Sequence, residues 1–160
     1  VKWDDKEYRG EAYAAYSWCC DVADVEVDTI TGLTSTKRLV SVVECGRVIN
    51  PIIAKGQIEG GVAQAVGFAT CENVVMEKGE MKNTQYTNYI IPTSADVPDL
   101  DVEFIEFPKS NPGPFGAKGI GELPCDGPAP AIAGAVAQAL GGVFLNEIPL
   151  LPENVLGAVR

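Results

Sequence analysis

Apolar and polar residues change places at nearly every step in the middle of "YSWCCDVADVEVDTITGLTSTKRLVSVVECG", where Val22, Val25 and Val27 stand among Asp and Glu. The run "DTITG" interrupts the alternation, and a second β-branched run, "RLVSVVEC", follows it. Period-two alternation on either side of a turn supplied by Gly32 predicts a β-hairpin. The apolar density of "RLVSVVEC" predicts a strand at the centre of its sheet. Pro51 then ends the extended run, and the period changes: Ile58, Val62, Ala65, Val66 and Ala69 recur at helical spacing, predicting a helix from about Gln57 to Glu72. Gly60, Gly61 and Gly67 fall inside it, each costing up to about 1 kcal/mol relative to alanine. Close approach of another backbone or of a ligand would account for them.

"NVVMEKGEMKNTQYTNYIIP" predicts a second hairpin turning at Lys78 and Gly79, and "DLDVEFIEFP" a strand carrying Val102, Phe104 and Ile105. Pro92, Pro98 and Pro108 punctuate these segments. A glycine-rich loop leads to an alanine-rich helix from about Pro128 to Leu140, and a short helix is expected after Pro152. No internal repeat or low-complexity linker divides the chain, so residues 1–160 read as a single α+β unit, with mixed sheets and hairpins and two main helices.

A hydrophobic fraction of 46% with 21% charged residues belongs to a globular protein. The balance of 12 basic against 22 acidic residues, a net charge of −10, excludes a nucleic-acid surface. No window approaches a membrane span, and "VKWDDKEYRG" is too polar for a secretory signal, so a cytoplasmic location is expected. The first residue is not methionine, which points to a processed product or a piece of a longer chain. Histidine is absent, removing the commonest metal ligand and general base and leaving carboxylates, cysteines or a cofactor to carry chemistry. Five cysteines with no Cys-x-x-Cys pair spell neither a zinc knuckle nor an iron–sulfur loop. They read as reduced thiols filling core positions, with Cys125 set apart because it follows Glu122 by three residues.

Two glycine-studded stretches, "KGQIEGGVAQAVG" and "GPFGAKGIGE", offer chemistry. Helix N-termini and glycine turns expose backbone N–H groups that can receive an anion even in an acidic chain, although such loops are also simply turns. Neither stretch has the order of a P-loop or a dinucleotide fingerprint. Glu122 has two readings: a first-turn carboxylate favoured by the helix dipole, or a general base desolvated by Ile120, Leu123 and Pro124. Lys118 is its one evident partner within the loop.

In order, "CGRVINP", "GQIEGGVAQAVG", "YIIPTSADVP" and "GAKGIGELPCDGPAPAIAGAVAQALG" resemble the C-terminal part of the molybdenum-binding large subunit of the xanthine dehydrogenase and aldehyde oxidase family. The resemblance runs from about Tyr13 to the end. It implies a fragment of a molybdenum-binding domain whose cofactor is molybdenum–molybdopterin, as a dinucleotide in bacteria, with no protein residue ligating the metal. It implies hydroxylation of an electron-poor carbon in a purine, N-heterocycle or aldehyde, with water as the oxygen source. By the same resemblance Glu122 matches the catalytic glutamate that accepts a proton as the oxygen attacks carbon. Gln57 matches a glutamine set against the pterin, with Gly60, Gly61 and Gln64 on the same helix start, and Gly116 through Gly121, including Gly119, shape the loop around the metal. Implied partners are the remainder of the subunit, which holds most of what selects the small-molecule substrate, an iron–sulfur subunit, and a flavin (FAD) subunit. Leu123, Glu44 and Ala65 depart from residues common in relatives. A non-catalytic assembly module that binds no cofactor is the alternative, and a free-standing nucleotide-binding module a third.

Overall fold

The computed structural model describes residues 3–13, 15–107 and 113–159; Pro108 lies outside them. Strands β1 (Trp18–Val27) and β2 (Thr34–Glu44) form the expected hairpin. At its turn Asp28 Oδ1 accepts the Ile30 and Thr31 N–H groups, and Gly32 takes φ 78°, the left-handed conformation for which glycine is suited. Val25 pairs with Thr36 while Asp24 pairs with Arg38, so Lys37 is an extra residue that bulges the strand. β5 (Asp99–Ile105) pairs in parallel with β2, giving the order β1-β2-β5 with β2 central, as its apolar density predicts.

α1 (Pro51–Thr70) and α3 (Pro128–Ala139) pack on one face of this sheet. All five periodic residues of α1, from Ile58 to Ala69, are buried. They meet Leu39 and Val43 of β2 and Ile132 and Val136 of α3 in one core, where each large aliphatic side chain stabilises the fold by about 1.5–3 kcal/mol. Behind α3, Gly141 and Gly142 take positive φ, and the Gly142 N–H closes on the Ala137 carbonyl at 2.8 Å, which ends the helix. The tail contributes α4 (Pro152–Val159) and two buried residues, Leu150 and Val155.

Three expectations are corrected. α1 begins six residues before Gln57, because Asn50 caps it by accepting the Ile53 N–H and Pro51 occupies the first turn, where a missing N–H costs nothing. The second hairpin is confined to β3 (Met76–Glu77) and β4 (Glu80–Met81), turning where expected at Lys78 (φ 51°) and Gly79 (φ 83°). Its flanks do not pair as strands: buried Asn83 accepts the Val75 N–H and donates to the Asn73 and Asn88 carbonyls. Of the cysteines, all free thiols, Cys45 alone is buried; Cys20 is exposed, and Cys19, Cys71 and Cys125 are half-buried. Burial, reinforced by neighbouring Asp21, pushes the Cys19 thiol up to about 11.

The helix glycines divide by environment. A Cβ on Gly67 would lie 2.3 Å from Glu72 Oε1 and 2.5 Å from Pro92 Cδ, whereas one on Gly134 in α3 would meet nothing within 4 Å. Gly67→Ala is therefore expected to destabilise the fold by about 1–3 kcal/mol and Gly134→Ala to stabilise it by roughly 0.5–1 kcal/mol. Chemical denaturation of the two variants beside the parent protein checks both signs.

Candidate functional site

The glycine loop before Glu122 is fastened at several points from Gly116 to Gly119. A short 3-10 turn, Pro114–Gly116, holds Phe115 at φ 55° and Gly116 at φ 79°. Beyond it the loop runs beside the residues that follow β2. The Arg47 N–H donates to the Gly116 carbonyl at 2.7 Å, the Lys118 N–H to the Cys45 carbonyl at 2.8 Å, and Gly46 bridges Ala117. The Ser17 hydroxyl, just ahead of β1, donates to the Gly119 carbonyl at 2.6 Å.

Lys118 is committed elsewhere than to Glu122. Its ammonium pairs with Glu44 Oε2 at 2.5 Å, the two side chains being only 14% and 13% exposed. The other oxygen, Glu44 Oε1, accepts the Gly46 N–H at 2.8 Å. Burial alone would push the Glu44 carboxyl up, but the Lys118 and Gly46 hydrogen bonds and the Lys118 charge outweigh it and hold the group below its ordinary value. Glu44, one of the residues that depart from those common in relatives, is thus the anchor of the loop.

Glu122 stands at the N-cap position of the short helix α2 (Leu123–Asp126), yet its side chain makes no capping hydrogen bond. The carboxylate is not spent as a side-chain cap, although proximity to the helix dipole requires no such bond. The desolvation expected from Ile120, Leu123 and Pro124 is also not realised within this chain: Pro124 is buried and the other two half-buried, while Glu122 is exposed. The Cys125 N–H donates to the Glu122 carbonyl at 2.9 Å and closes the turn. Burial pushes the Cys125 thiol up, and the Asp126 and Glu122 carboxylates add to it.

The structure brings three of the four candidate residues of α1, Gln57, Gly61 and Gln64, against this turn. Gln57 donates its side-chain Nε2–H to the Gly121 carbonyl at 2.9 Å, and Gln64 Oε1 accepts from Cys125 Sγ at 3.5 Å. Gly61 lies against Pro124. Because α1 starts at Pro51, Gly60, Gly61 and Gln64 occupy the helix interior rather than its start, and a helix-end anion site is not available at them. What remains open is surface: a Cβ on Gly60, Gly119 or Gly121 would meet nothing within 4 Å. Beside Gln57 runs an apolar groove of about 450 Å³, walled by Val48, Ile49, Ile53 and Ile120. Among the described residues no three His, Cys, Asp or Glu side chains converge as a metal site, and no helix is long and apolar enough to cross a membrane.

Residues 1–98 match a family model described as a molybdopterin cofactor-binding domain. The gamma subunit of the 6-hydroxypseudooxynicotine dehydrogenase complex of Paenarthrobacter nicotinovorans is 34% identical over 142 residues, covering 88% of this chain and 18% of the relative. The aldehyde oxidoreductase of Megalodesulfovibrio gigas is 34% identical over 152 residues, 94% of this chain and 16% of the relative. Among solved structures, the aldehyde oxidoreductase from Desulfovibrio gigas aligns with a TM-score of 0.86 at 32% identity, over 99% of this chain and 17% of that one. Quinoline 2-oxidoreductase from Pseudomonas putida 86 aligns with a TM-score of 0.76 at 34% identity, over 86% and 18%. The chain spans less than a fifth of the length of these relatives.

The Glu44–Lys118 pair sets a pH dependence. A carboxyl held below its unfolded value stabilises the fold above that value, about 4.3 for glutamate, and the contribution is lost as pH falls through the folded value. Glu44→Gln is expected to lower stability by about 1–3 kcal/mol at neutral pH. Unfolding midpoints measured from neutral to acid pH should show the variant and parent converging below the glutamate range.

Proposed function

Because the chain belongs to the molybdopterin cofactor-binding domain family of xanthine dehydrogenase and aldehyde oxidoreductase molybdenum-binding subunits, we propose that it forms, as one unit of 160 residues, the C-terminal part of a molybdenum hydroxylase large subunit. The observation that carries this reading is the state of Glu122: exposed, free of any capping bond, and borne on a turn tied to Gln57. Its carboxylate is thus not spent on the helix N–H groups beside it.

The residues present fit the cofactor. Gln57 spends its N–H on the Gly121 carbonyl and keeps its amide oxygen as an acceptor. Gly60, Gly119 and Gly121 leave backbone that a bulky group can approach closely. When bound, molybdenum–molybdopterin, as a dinucleotide in a bacterial enzyme, supplies a two-electron oxidant for hydroxylating an electron-poor carbon with oxygen from water. Glu122 takes up the proton that this oxygen loses as it attacks the carbon. Gln57 holds the Gly121 end of the turn and orients the pterin. Ser17 and Lys118 keep residues 118–119 on the scaffold so that the carboxylate does not swing away.

The substrate class is an N-heterocycle, purine or aldehyde, selected largely by the remainder of the subunit, which also covers the apolar groove beside Gln57. Electrons leave through iron–sulfur clusters and FAD on partner domains or subunits, the relative from Paenarthrobacter nicotinovorans being named as one subunit of a complex. Five free thiols accord with the reducing cytoplasm as its compartment.

In the assembled enzyme Glu122→Gln keeps the shape of the side chain and removes the base. Turnover is expected to fall by about 10²–10⁴-fold with molybdenum content unchanged. Retained turnover would sink the assignment, and loss of molybdenum would make Glu122 a structural residue.

A further inference from the structure

We propose that Gly61 and Gln64 are positioning residues that set the place of the Glu122 carboxylate through Pro124 and Cys125, and that neither contacts the cofactor. The inference rests on Glu122 being the base.

Gln57, Gly61 and Gln64 are spaced four and three residues apart on α1, so they form one stripe along the helix. Each engages the Glu122 turn. Gln57 holds Gly121, the residue before the carboxylate, and Gln64 accepts from the Cys125 thiol, three residues after it. Between them Pro124 is fully buried and rests on Gly61, where a Cβ would lie 2.4 Å from Pro124 Cγ and 2.7 Å from Pro124 Cβ. The absent side chain is therefore already filled by protein. No such filling occurs at Gly60, whose missing Cβ faces open space. One stripe of α1 thus clamps the turn on both sides of Glu122 while the carboxylate itself remains exposed. Proline fixes its own φ, so a push on its ring is passed to the turn rather than absorbed by it.

A methyl at position 61 brings two carbons to 2.4 Å where ordinary contact begins near ~3.5 Å. The Pro124 ring must retreat by roughly 1 Å, and a misplacement of that size at a reacting group can cost about 10²-fold in rate.

The test compares Gly61→Ala, Gly61→Ala with Pro124→Ala, and Gln64→Met in the assembled enzyme. It reads kcat, KM, molybdenum content and the rate at which iodoacetamide alkylates Cys125, followed by the mass of its peptide. Gly61→Ala is expected to lower kcat by about 10–100-fold with KM and molybdenum nearly unchanged, and to speed Cys125 alkylation several-fold. Adding Pro124→Ala makes room for the methyl, and is expected to recover about tenfold in kcat and slow the alkylation again. Gln64→Met removes the thiol's acceptor and should speed alkylation without loss of molybdenum. Unchanged kcat in Gly61→Ala overturns the proposal outright, and molybdenum lost in step with activity while Cys125 reactivity stays fixed overturns it in favour of direct cofactor contact. If Gly61→Ala does not assemble, Gln64→Met decides, and unchanged alkylation overturns it. Cys125 reactivity reports the clamp whether or not Glu122 is the base, and turnover by Glu122→Gln reports the base whether or not the clamp exists, so the two can fail separately.

Discussion

A carboxylate at the end of a central strand, shielded from water, must find a cation, and the one that reaches Glu44 is Lys118. The pair joins the C-terminal end of β2 to a loop 74 residues away along the chain. Once Lys118 is held there, the neighbouring backbone has little freedom: Cys45 and Arg47 engage the loop main chain on one side and Ser17 reaches it on the other. The loop then arrives at α1 in one register. Glu122 is where it is because a charge pair near the sheet end and a glutamine on the helix hold the intervening residues.

The helix side of this arrangement depends on what is missing. Ordinary side chains at positions 61 and 67 would collide with Pro124 and with Pro92 and Glu72, so α1 accepts the intrinsic cost of glycine to let two segments lie on its surface. The buried stripe from Ala54 to Ala69 faces the sheet and α3, and the stripe of Gln57, Gly61 and Gln64 faces the Glu122 turn. The two roles fall on different faces of one twenty-residue helix. Packing that stabilises the fold and packing that places the carboxylate are carried by the same element.

Periodicity made the sheet hairpin, the central strand and the buried face of α1 legible, because each depends on neighbours within a few residues. The Lys78–Gly79 turn was legible for the same reason. The start of α1 was not, since β2 already ends at Glu44 and Asn50–Pro51 begins a helix rather than ending a strand, and a proline alone does not say which side of it is helical. The short second hairpin reflects Asn83, whose side-chain amide takes the place of strand pairing, a contest that composition does not reveal. In the site, the glycines announced close approach without naming what approaches: Pro124 at Gly61, Pro92 at Gly67, open space at Gly60. The partner of Lys118 could not be read at all, because an ion pair between distant segments leaves no local pattern.

The proposed role of this scaffold is to hold a carboxylate for a molybdenum centre supplied jointly with the remainder of a larger subunit. Its most direct test is the molybdenum and iron content, per copy of this chain, of the complex recovered with it from its native source. Molybdenum near one per chain, accompanied by iron from a partner, is the predicted result. A chain that comes down alone and metal-free from cells supplied with molybdate would contradict the account and leave an assembly module in its place.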